Sequence, residues 1–316
     1  MPDHSKFPFN GLPKDIINKE IGQYLNSSNI AHLAQTSKNN QTLFESQLYN
    51  VSILLFHAAR RKDNAVQSIL KKDINLLLKR GKVTDYSGRT FEDISAFEYM
   101  LWALDKHGWT IMLECIPIDS NFENIFKELL SQYNKVETDG VTYTLNEKKI
   151  TEHHFDFQNT IIKELQDQVN SINAPNPNWD AIDKQWIEGV GGAQKLFPMH
   201  VVHEYCANRP FAPVPDFNIK PNSSMEFYNW ITDFLDHWFL SYFKLGSAFA
   251  AYKGMDHIAT ASSRSATGTS ALDLTAMTVL YDVRTRDFIA LKSTLENPLM
   301  ASDNQFVDNK LARIIY

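Results

Sequence analysis

The helical fold of this chain is most clearly indicated by residues 55–59, LFHAA, and by the residues that follow them. A polar run at 62–64, KDN, interrupts the apolar pattern, which resumes at Val66, Ile69 and Leu70. Apolar residues at intervals of three and four lie on one face of a helix, whereas clustered polar residues favour a turn. The stretch therefore predicts two short helices joined by a tight polar turn.

A second unit of the same kind follows at residues 95–116. It opens with 95–98, SAFE, the Ser-x-x-Glu pattern of a capping box, in which both side chains satisfy backbone N–H groups at a helix start. Residues 106–108, KHG, break the apolar pattern, and Pro117 ends it. We expect a second helix pair here, with a turn-rich connection over residues 81–90.

Further elements are predicted on both sides of a breaker at residues 174–178, APNPN. Residues 121–133 and 157–169 have helical spacing, and residues 141–150, VTYTLNEKKI, alternate as in a small β-hairpin. Beyond the breaker, residues 223–226, SSME, form a second capping-box pattern, which predicts the strongest helix of the chain. Its core-facing stripe would consist of Phe227, Trp230, Ile231, Phe234, Trp238, Tyr242 and Leu245.

Composition limits the functional class. The 316 residues are 43% hydrophobic and 22% charged with a net charge of −6, which is ordinary for globular domains and gives no basic footprint for nucleic acid. Cys115 and Cys206 are the only cysteines, so we predict a reducing compartment rather than a disulfide framework. No signal peptide or membrane-spanning stretch is recognisable, and we expect a cytoplasmic protein.

One cluster of reactive side chains could indicate an enzymatic function, as an alternative to the binding function that is described below for the amino-terminal segment. His200, His203, Glu204 and Cys206 lie within seven residues, and imidazole and thiolate groups are both good zinc ligands. A histidine could also activate Cys206 as a nucleophile. No second ligand pair and no oxyanion element accompany the cluster, so we predict no metal and no cofactor. A cysteine- or zinc-dependent hydrolase centred on residues 200–206 remains the alternative hypothesis.

Two weaker patterns are better explained by structure than by chemistry. His153 and His154 lie beside Asp156, as a general base and its orienting acid would, but such groupings are common on surfaces. Residues 188–193, EGVGGA, lack the Lys-Ser/Thr of a phosphate loop, and they predict a tight turn.

The amino-terminal segment contains the most specific motif. Residues 12–17, LPKDII, place Pro13 in the first turn of a helix, where its missing N–H costs nothing, and Asp15 near the positive end of the helix dipole. Two short polar joints divide residues 7–48 into three short helices. Such small helices cannot bury all their apolar faces internally, so a partner or the rest of the chain must cover them.

This segment resembles the F-box, which opens with Leu-Pro, an acidic residue and apolar residues at helical spacing. The Trp that F-boxes carry shortly after a position like Lys38 is replaced here by 39–41, NNQ. The resemblance implies a non-enzymatic substrate receptor that docks on the Skp-type adaptor of a cullin–RING (SCF-type) ubiquitin ligase and presents a protein for ubiquitylation. The implied adaptor-binding residues are Leu12, Pro13, Ile16, Ile17, Ile21, Leu25, Ile30 and Leu33.

Residues 56–59, FHAA, and 88–90, GRT, resemble parts of the ankyrin repeat, although Phe56 and Phe97 are 41 residues apart. The combination with an F-box resembles ubiquitin-pathway effectors that intracellular bacteria inject into host cells, which implies the host cytoplasm. A non-catalytic scaffold is a further alternative. We predict a mainly α fold with one small β-hairpin, divided into an F-box-like segment (7–50), ankyrin-like helical hairpins (51–118), a helical region with the hairpin (119–173) and a helical carboxyl-terminal domain (178–316).

Overall fold

The computed structural model describes residues 33, 36–38, 40, 50–223, 225–229, 234–238 and 268–298. Over these residues the protein is mainly α-helical with a small antiparallel β-sheet, which confirms the predicted fold class. None of the helices in this part of the chain combines the length and the hydropathy needed to cross a bilayer.

Both predicted helix pairs are present. The first pair consists of α1 (Val51–Ala58) and α2 (Asp63–Lys72), and the second of α3 (Ala96–Trp102) and α4 (Lys106–Leu113). The predicted capping box starts α3: the Ser95 hydroxyl accepts from the Glu98 N–H, and the Glu98 carboxylate accepts from the Ser95 N–H. A short 3₁₀ helix, Ile74–Leu78, follows α2.

The same backbone turn closes the first helix of each pair. The Lys62 N–H donates to the His57 carbonyl at 3.0 Å, and the Asp105 N–H donates to the Met100 carbonyl at 2.9 Å. Arg61 and Leu104, the residues just before these donors, have φ angles of 52° and 57°. This left-handed position usually belongs to glycine, so each turn keeps a costly non-glycine residue.

The sheet consists of two hairpins in the order β1-β2-β3-β4. The predicted hairpin at 141–150 is confirmed as β3 (Val141–Leu145) and β4 (Lys148–Glu152). The connection predicted to be turn-rich forms a second hairpin, β1 (Arg80–Thr84) and β2 (Thr90–Ser95). The hairpins meet through one residue pair, Thr90 opposite Thr144, beyond which β2 and β3 diverge.

The remaining helices surround this framework. Gly140 ends α5 (Phe122–Asp139) with a φ of 73°, where a Cβ would lie 2.7 Å from the Glu152 carbonyl oxygen. Residues 188–193, predicted to be a tight turn, are helical, because a π-helix continues directly into the next α-helix. These elements are α5 (Phe122–Asp139), the π-helix Gln158–Ile162, α6 (Lys163–Ile172), α7 (Trp179–Lys184), the π-helix Gln185–Val190, α8 (Gly191–Gln194), α9 (Met199–Tyr205) and α10 (Thr269–Glu296).

The helix predicted from residue 223 onward is wrong over the described residues. An antiparallel hairpin, β5 (Glu226–Asn229) and β6 (Phe234–His237), occupies this position. The Ser223 hydroxyl accepts from the Met225 N–H at 3.2 Å and so forms a local turn, and the Trp238 N–H donates to the Met225 carbonyl at 2.9 Å. Aromatic residues are common in strands as well as in helices, so their spacing alone did not distinguish the two structures here.

The predicted aromatic stripe is accordingly split. Trp238 is buried, but Phe234 is 71% exposed on its two-stranded ribbon. Phe227 lies in β5, and Trp230, Ile231, Tyr242 and Leu245 lie outside the described residues.

One contiguous cluster of buried side chains extends from Ile53 to Leu295. Its aromatic centre packs Trp102 against Phe91 and Tyr143, with ring centroids 5.0 and 5.6 Å apart. The long helix α10 joins the cluster by stacking Phe288 on Tyr133 of α5 at 4.6 Å. Apolar contacts therefore connect both helix pairs, the sheet and the carboxyl-terminal helices. The division into four domains stays a prediction.

Candidate functional site

Most of the predicted adaptor-binding residues cannot be placed. Leu12, Pro13, Ile16, Ile17, Ile21, Leu25 and Ile30 lie outside the described residues. Leu33 is helical and partly buried, and it packs against the main core. The Thr36 hydroxyl donates to the Leu33 carbonyl at 2.6 Å. Part of the Leu33 surface is thus covered by its own chain.

The described residues contain a buried cluster of charges where the turns of the two helix pairs meet. The Arg61 guanidinium bonds to Asp105, and the two side chains are only 3% and 2% exposed. The same guanidinium binds both oxygens of Asp63, at 3.0 and 2.9 Å. Because a lone buried charge is very costly, the two carboxylates are what allows Arg61 to be buried.

Asp105 has a second structural role at the start of α4. Its carboxylate accepts from the Gly108 N–H at 2.9 Å and caps the helix. Burial by itself would raise the pKa of this carboxyl, but the Arg61 guanidinium and the Gly108 hydrogen bond hold that pKa well below its usual range. The group is therefore a permanent anion, which suits an ion-pair partner rather than a proton donor.

Three histidines adjoin this ion pair. His200 on α9 donates its Nε2–H to the Ala103 carbonyl at 2.7 Å and is nearly fully buried. Burial is the main cause that lowers the pKa of His200 to about 3, with Arg284 and Arg61 acting in the same direction. Burial likewise lowers the pKa of His107 and of His203 to about 4. All three imidazoles are neutral near pH 7.

A second set of ion pairs links α9 to α10 and α4. Glu204 accepts from Arg209 at 2.7 Å and lies 3.9 Å from the buried Arg284 guanidinium. Arg284 also donates to Asp287 at 3.1 Å, and Asp287 accepts from Lys106 at 2.8 Å. The side chains of Glu204 and Arg284 are each 1% exposed, so this network fixes the position of α10 against the second helix pair.

The side chains of the reactive cluster predicted at residues 200–206 contact different partners and do not form one site. His200 faces the Ala103 carbonyl, His203 lies near Arg61 and Lys220, and Glu204 bonds to Arg209. Cys206 is buried at the end of α9. Among the described residues, no group of three or more His, Cys, Asp or Glu side chains has the geometry to hold a metal ion.

The predicted acid–base grouping at 153–156 is not brought together. His153 and His154 turn their Nδ1–H groups toward the carbonyls of Val136 and Phe155, at 3.4 and 3.0 Å. Asp156 accepts from the backbone and side-chain nitrogens of Asn159, at 2.9 and 2.7 Å. The carboxylate thus supports the following helical turn instead of orienting an imidazole.

Sequence reasoning missed Arg61, Asp105 and Arg284, the residues around which the charged cluster is built. One signal was available: Arg61 and Asp105 lie in the equivalent polar turns of two similar helix pairs, flanked by apolar residues. Nothing comparable marks Arg284, which lies among mixed residues of α10.

Two surface concavities lie outside the charged cluster. Where β2 and β3 diverge, a polar cleft of about 370 Å³ is lined by both strands, by Arg80 of β1 and by the end of α5. Its side chains include Asp93, Lys135 and Thr142. A more apolar groove of about 340 Å³ runs between α5 and the end of α10, along Phe126, Leu130 and Leu295.

Comparison with known proteins places this mainly helical chain in a family. A family model described as the CBUA0006 C-terminal domain matches residues 160–295, which include α9, α10 and, apart from Lys106, the second set of ion pairs. A Coxiella burnetii protein named uncharacterized protein CBUA0006 is 38% identical over 256 residues, covering 75% of this chain and 73% of the relative. No solved structure matches the chain. The chain belongs to the CBUA0006 family.

Proposed function

We propose that this protein is a non-enzymatic substrate receptor of a cullin–RING (SCF-type) ubiquitin ligase. Residues 7–48 would bind the Skp-type adaptor, and residues 51–316 would hold a target protein. The observation that carries the proposal is the F-box-like run 12–17, LPKDII, followed by apolar residues at helical spacing through Leu33. The receptor would act by raising the effective concentration of target lysines at the ligase.

The charged cluster supports a binding role over a catalytic one. Its charged side chains are engaged with one another: Arg61 with Asp63 and Asp105, and Glu204 with Arg209 and Arg284. His200 donates its Nε2–H to a backbone carbonyl, so this nitrogen cannot accept a proton from a nucleophile in the same arrangement. A hydrolase centred on residues 200–206 stays the alternative hypothesis.

The site of action is part of the proposal. The relative comes from a bacterium, whereas cullin–RING ligases are eukaryotic assemblies. An F-box-like segment in this family would therefore meet its adaptor only inside a host cell. We accordingly propose a bacterial effector that works in the host cytoplasm, in agreement with its two widely separated cysteines and its acidic net charge.

A binding experiment with the full chain tests the proposal. The purified chain is mixed with a purified Skp-type adaptor and analysed by size-exclusion chromatography with multi-angle light scattering. We expect a complex of one chain and one adaptor. Separate elution at micromolar concentrations of both proteins would contradict the proposal and favour the hydrolase or scaffold alternatives.

A further inference from the structure

Three imidazoles from two helices lie near one buried ion pair. His107 lies in the first turn of α4, and His200 and His203 lie one turn apart on α9. Each of them is within electrostatic reach of both Arg61 and Asp105. The cluster thus joins the turns of the helix pairs to the part of the chain that the family model matches.

The hydrogen bonding offers no acceptor for a second proton on the buried His200 ring. Because the Nε2 of His200 donates to the Ala103 carbonyl, its Nδ1 carries the lone pair. That Nδ1 atom is buried and has no hydrogen-bond partner among the described residues, and the same holds for the Nε2 atom of His107. A proton added at Nδ1 of His200 would create a buried charge without an acceptor.

The charges around the imidazoles act in both directions: at His200, Asp105 favours the added proton, whereas Arg284 and Arg61 oppose it. The anions near the imidazoles are Asp63 and Asp105, and both already bond to Arg61. Glu204 and Asp287 are likewise engaged by cations. The groups that act on the three imidazoles from the elements around them are Arg61, Asp63, Asp105, Lys106, Lys220 and Arg284, of which four are cations.

A segment with two buried aromatic side chains, Phe211 and Phe217, covers this region. Residues 207–223, here called the strap, follow α9 directly, and an isolated bridge between Ala207 and Ser223 joins their ends. The strap reaches the two helix pairs through Lys220, which contacts Asp63 at 2.6 Å, and through Asn218, which accepts from Lys106 at 3.1 Å. Lys220 and Asn218 are exposed, so these polar contacts stabilise the closed strap only weakly. Its apolar anchor is Phe211, whose ring packs against Tyr205 of α9 with centroids 5.2 Å apart.

We infer that the His107, His200 and His203 cluster is an acid-released clasp, which holds α9 and the strap against the two helix-pair turns and opens when the imidazoles are protonated. The strands of the sheet contribute none of the three imidazoles, and we expect them to stay folded when the clasp opens. This inference is independent of the adaptor-binding proposal.

The direction of the pH effect follows from the histidine pKa values. They are about 3 to 4 in the closed state, against an ordinary value of about 6.5 that the exposed rings regain on opening. The open state therefore binds more protons, so the clasp is fully stable above about pH 6.5 and weakens as the pH falls toward 4. Each imidazole shifts the opening equilibrium by up to about tenfold per pH unit in this window.

Hydrogen exchange of the full chain at pH 7 and pH 5, corrected for intrinsic rates, tests the clasp. We expect peptides from 104–113 and 199–223 to lose at least tenfold in protection at pH 5, while peptides from β2, β3 and β4 keep theirs. The variant His107→Gln/His203→Gln should reduce this pH dependence. The matched variant His153→Gln/His154→Gln, outside the cluster, should retain it.

Equal protection at the two pH values, or uniform loss throughout the chain, would overturn the inference. So would an undiminished pH dependence in His107→Gln/His203→Gln. If that variant does not fold, the inference is tested by NMR titration of the three imidazoles in the wild-type protein. Midpoints below about 5 for the three clustered rings support the clasp, and midpoints near 6.5 contradict it.

Discussion

The turns after α1 and α3 have the same backbone and opposite chemistry. Both are closed by the same hydrogen bond, and both hold a non-glycine residue with positive φ. In the first turn this residue is Arg61, whose charge reaches across to the second turn, while in the second it is Leu104, which is fully buried. Backbone strain is tolerated in both turns because each side chain makes a contact that glycine could not make.

Breaking the ion pair between the turns should have the largest effect. Arg61→Met removes the cation and leaves Asp105 buried without its main partner, so we expect a loss of about 3–5 kcal/mol in the free energy of unfolding. Urea denaturation followed by circular dichroism measures it. In Arg61→Met/Asp105→Asn the buried charge is gone and an amide can still cap α4, so the double variant should recover part of the loss. A loss below about 1 kcal/mol in the single variant would show that the pair is not structurally important.

At Leu104 in the second turn, we expect substitution by glycine to destabilise the protein less than substitution by alanine, which reverses the usual order. Leu104→Ala removes a buried side chain, at a cost of about 2–5 kcal/mol, but keeps the left-handed strain. Leu104→Gly loses slightly more apolar surface and removes that strain, which is about 1–2 kcal/mol. We therefore expect the glycine variant to be the more stable of the two by urea denaturation. The usual order, with alanine more stable, would mean that the strain at Leu104 is negligible.

An exposed turn has the same backbone strain, but its side chains are not buried, so replacement by glycine should stabilise the protein. Asn146 and Glu147 connect β3 and β4 with φ angles of 48° and 65°, and this geometry favours Asn-Gly. Since Glu147 is exposed, Glu147→Gly should stabilise the protein by about 1 kcal/mol, seen as a rise of a few degrees in the thermal midpoint. Glu147→Ala is the control and should give no gain. A lower midpoint for Glu147→Gly would indicate an unrecognised role for the carboxylate.

Local patterns in the sequence were sufficient for the elements that depend on local contacts. The helix pairs, the capping box at Ser95 and the hairpin at 141–152 follow from spacing and capping residues only a few positions apart. The β1–β2 hairpin was missed because Gly81 suggested a turn. Its actual role is packing, since a Cβ there would lie 3.2 Å from side-chain atoms of Leu55 and Val51.

The candidate site was less predictable because its partners are distant in sequence. Arg61 and Asp105 belong to different helix pairs, and Glu204 meets Arg284 from another helix. Neither pairing leaves a periodic signal. The hairpin at 226–237 was misread for a different reason: its aromatic spacing fits a helix, whereas a turn formed by Ser223 and Met225 directs the chain into strands.

Isothermal titration calorimetry with a purified Skp-type adaptor measures whether residues 7–48 dock on the adaptor as proposed. Leu12→Ala/Pro13→Ala removes an apolar anchor and the preset helix start, and the loss of a buried leucine alone is about 1.5–3 kcal/mol. We predict an affinity reduced at least tenfold to a hundredfold, with the circular dichroism spectrum unchanged. Leu235→Ala, at a leucine that is 67% exposed, is the matched control and should bind like the wild type. An unchanged affinity in Leu12→Ala/Pro13→Ala, or no binding by the wild type, would contradict the F-box interpretation.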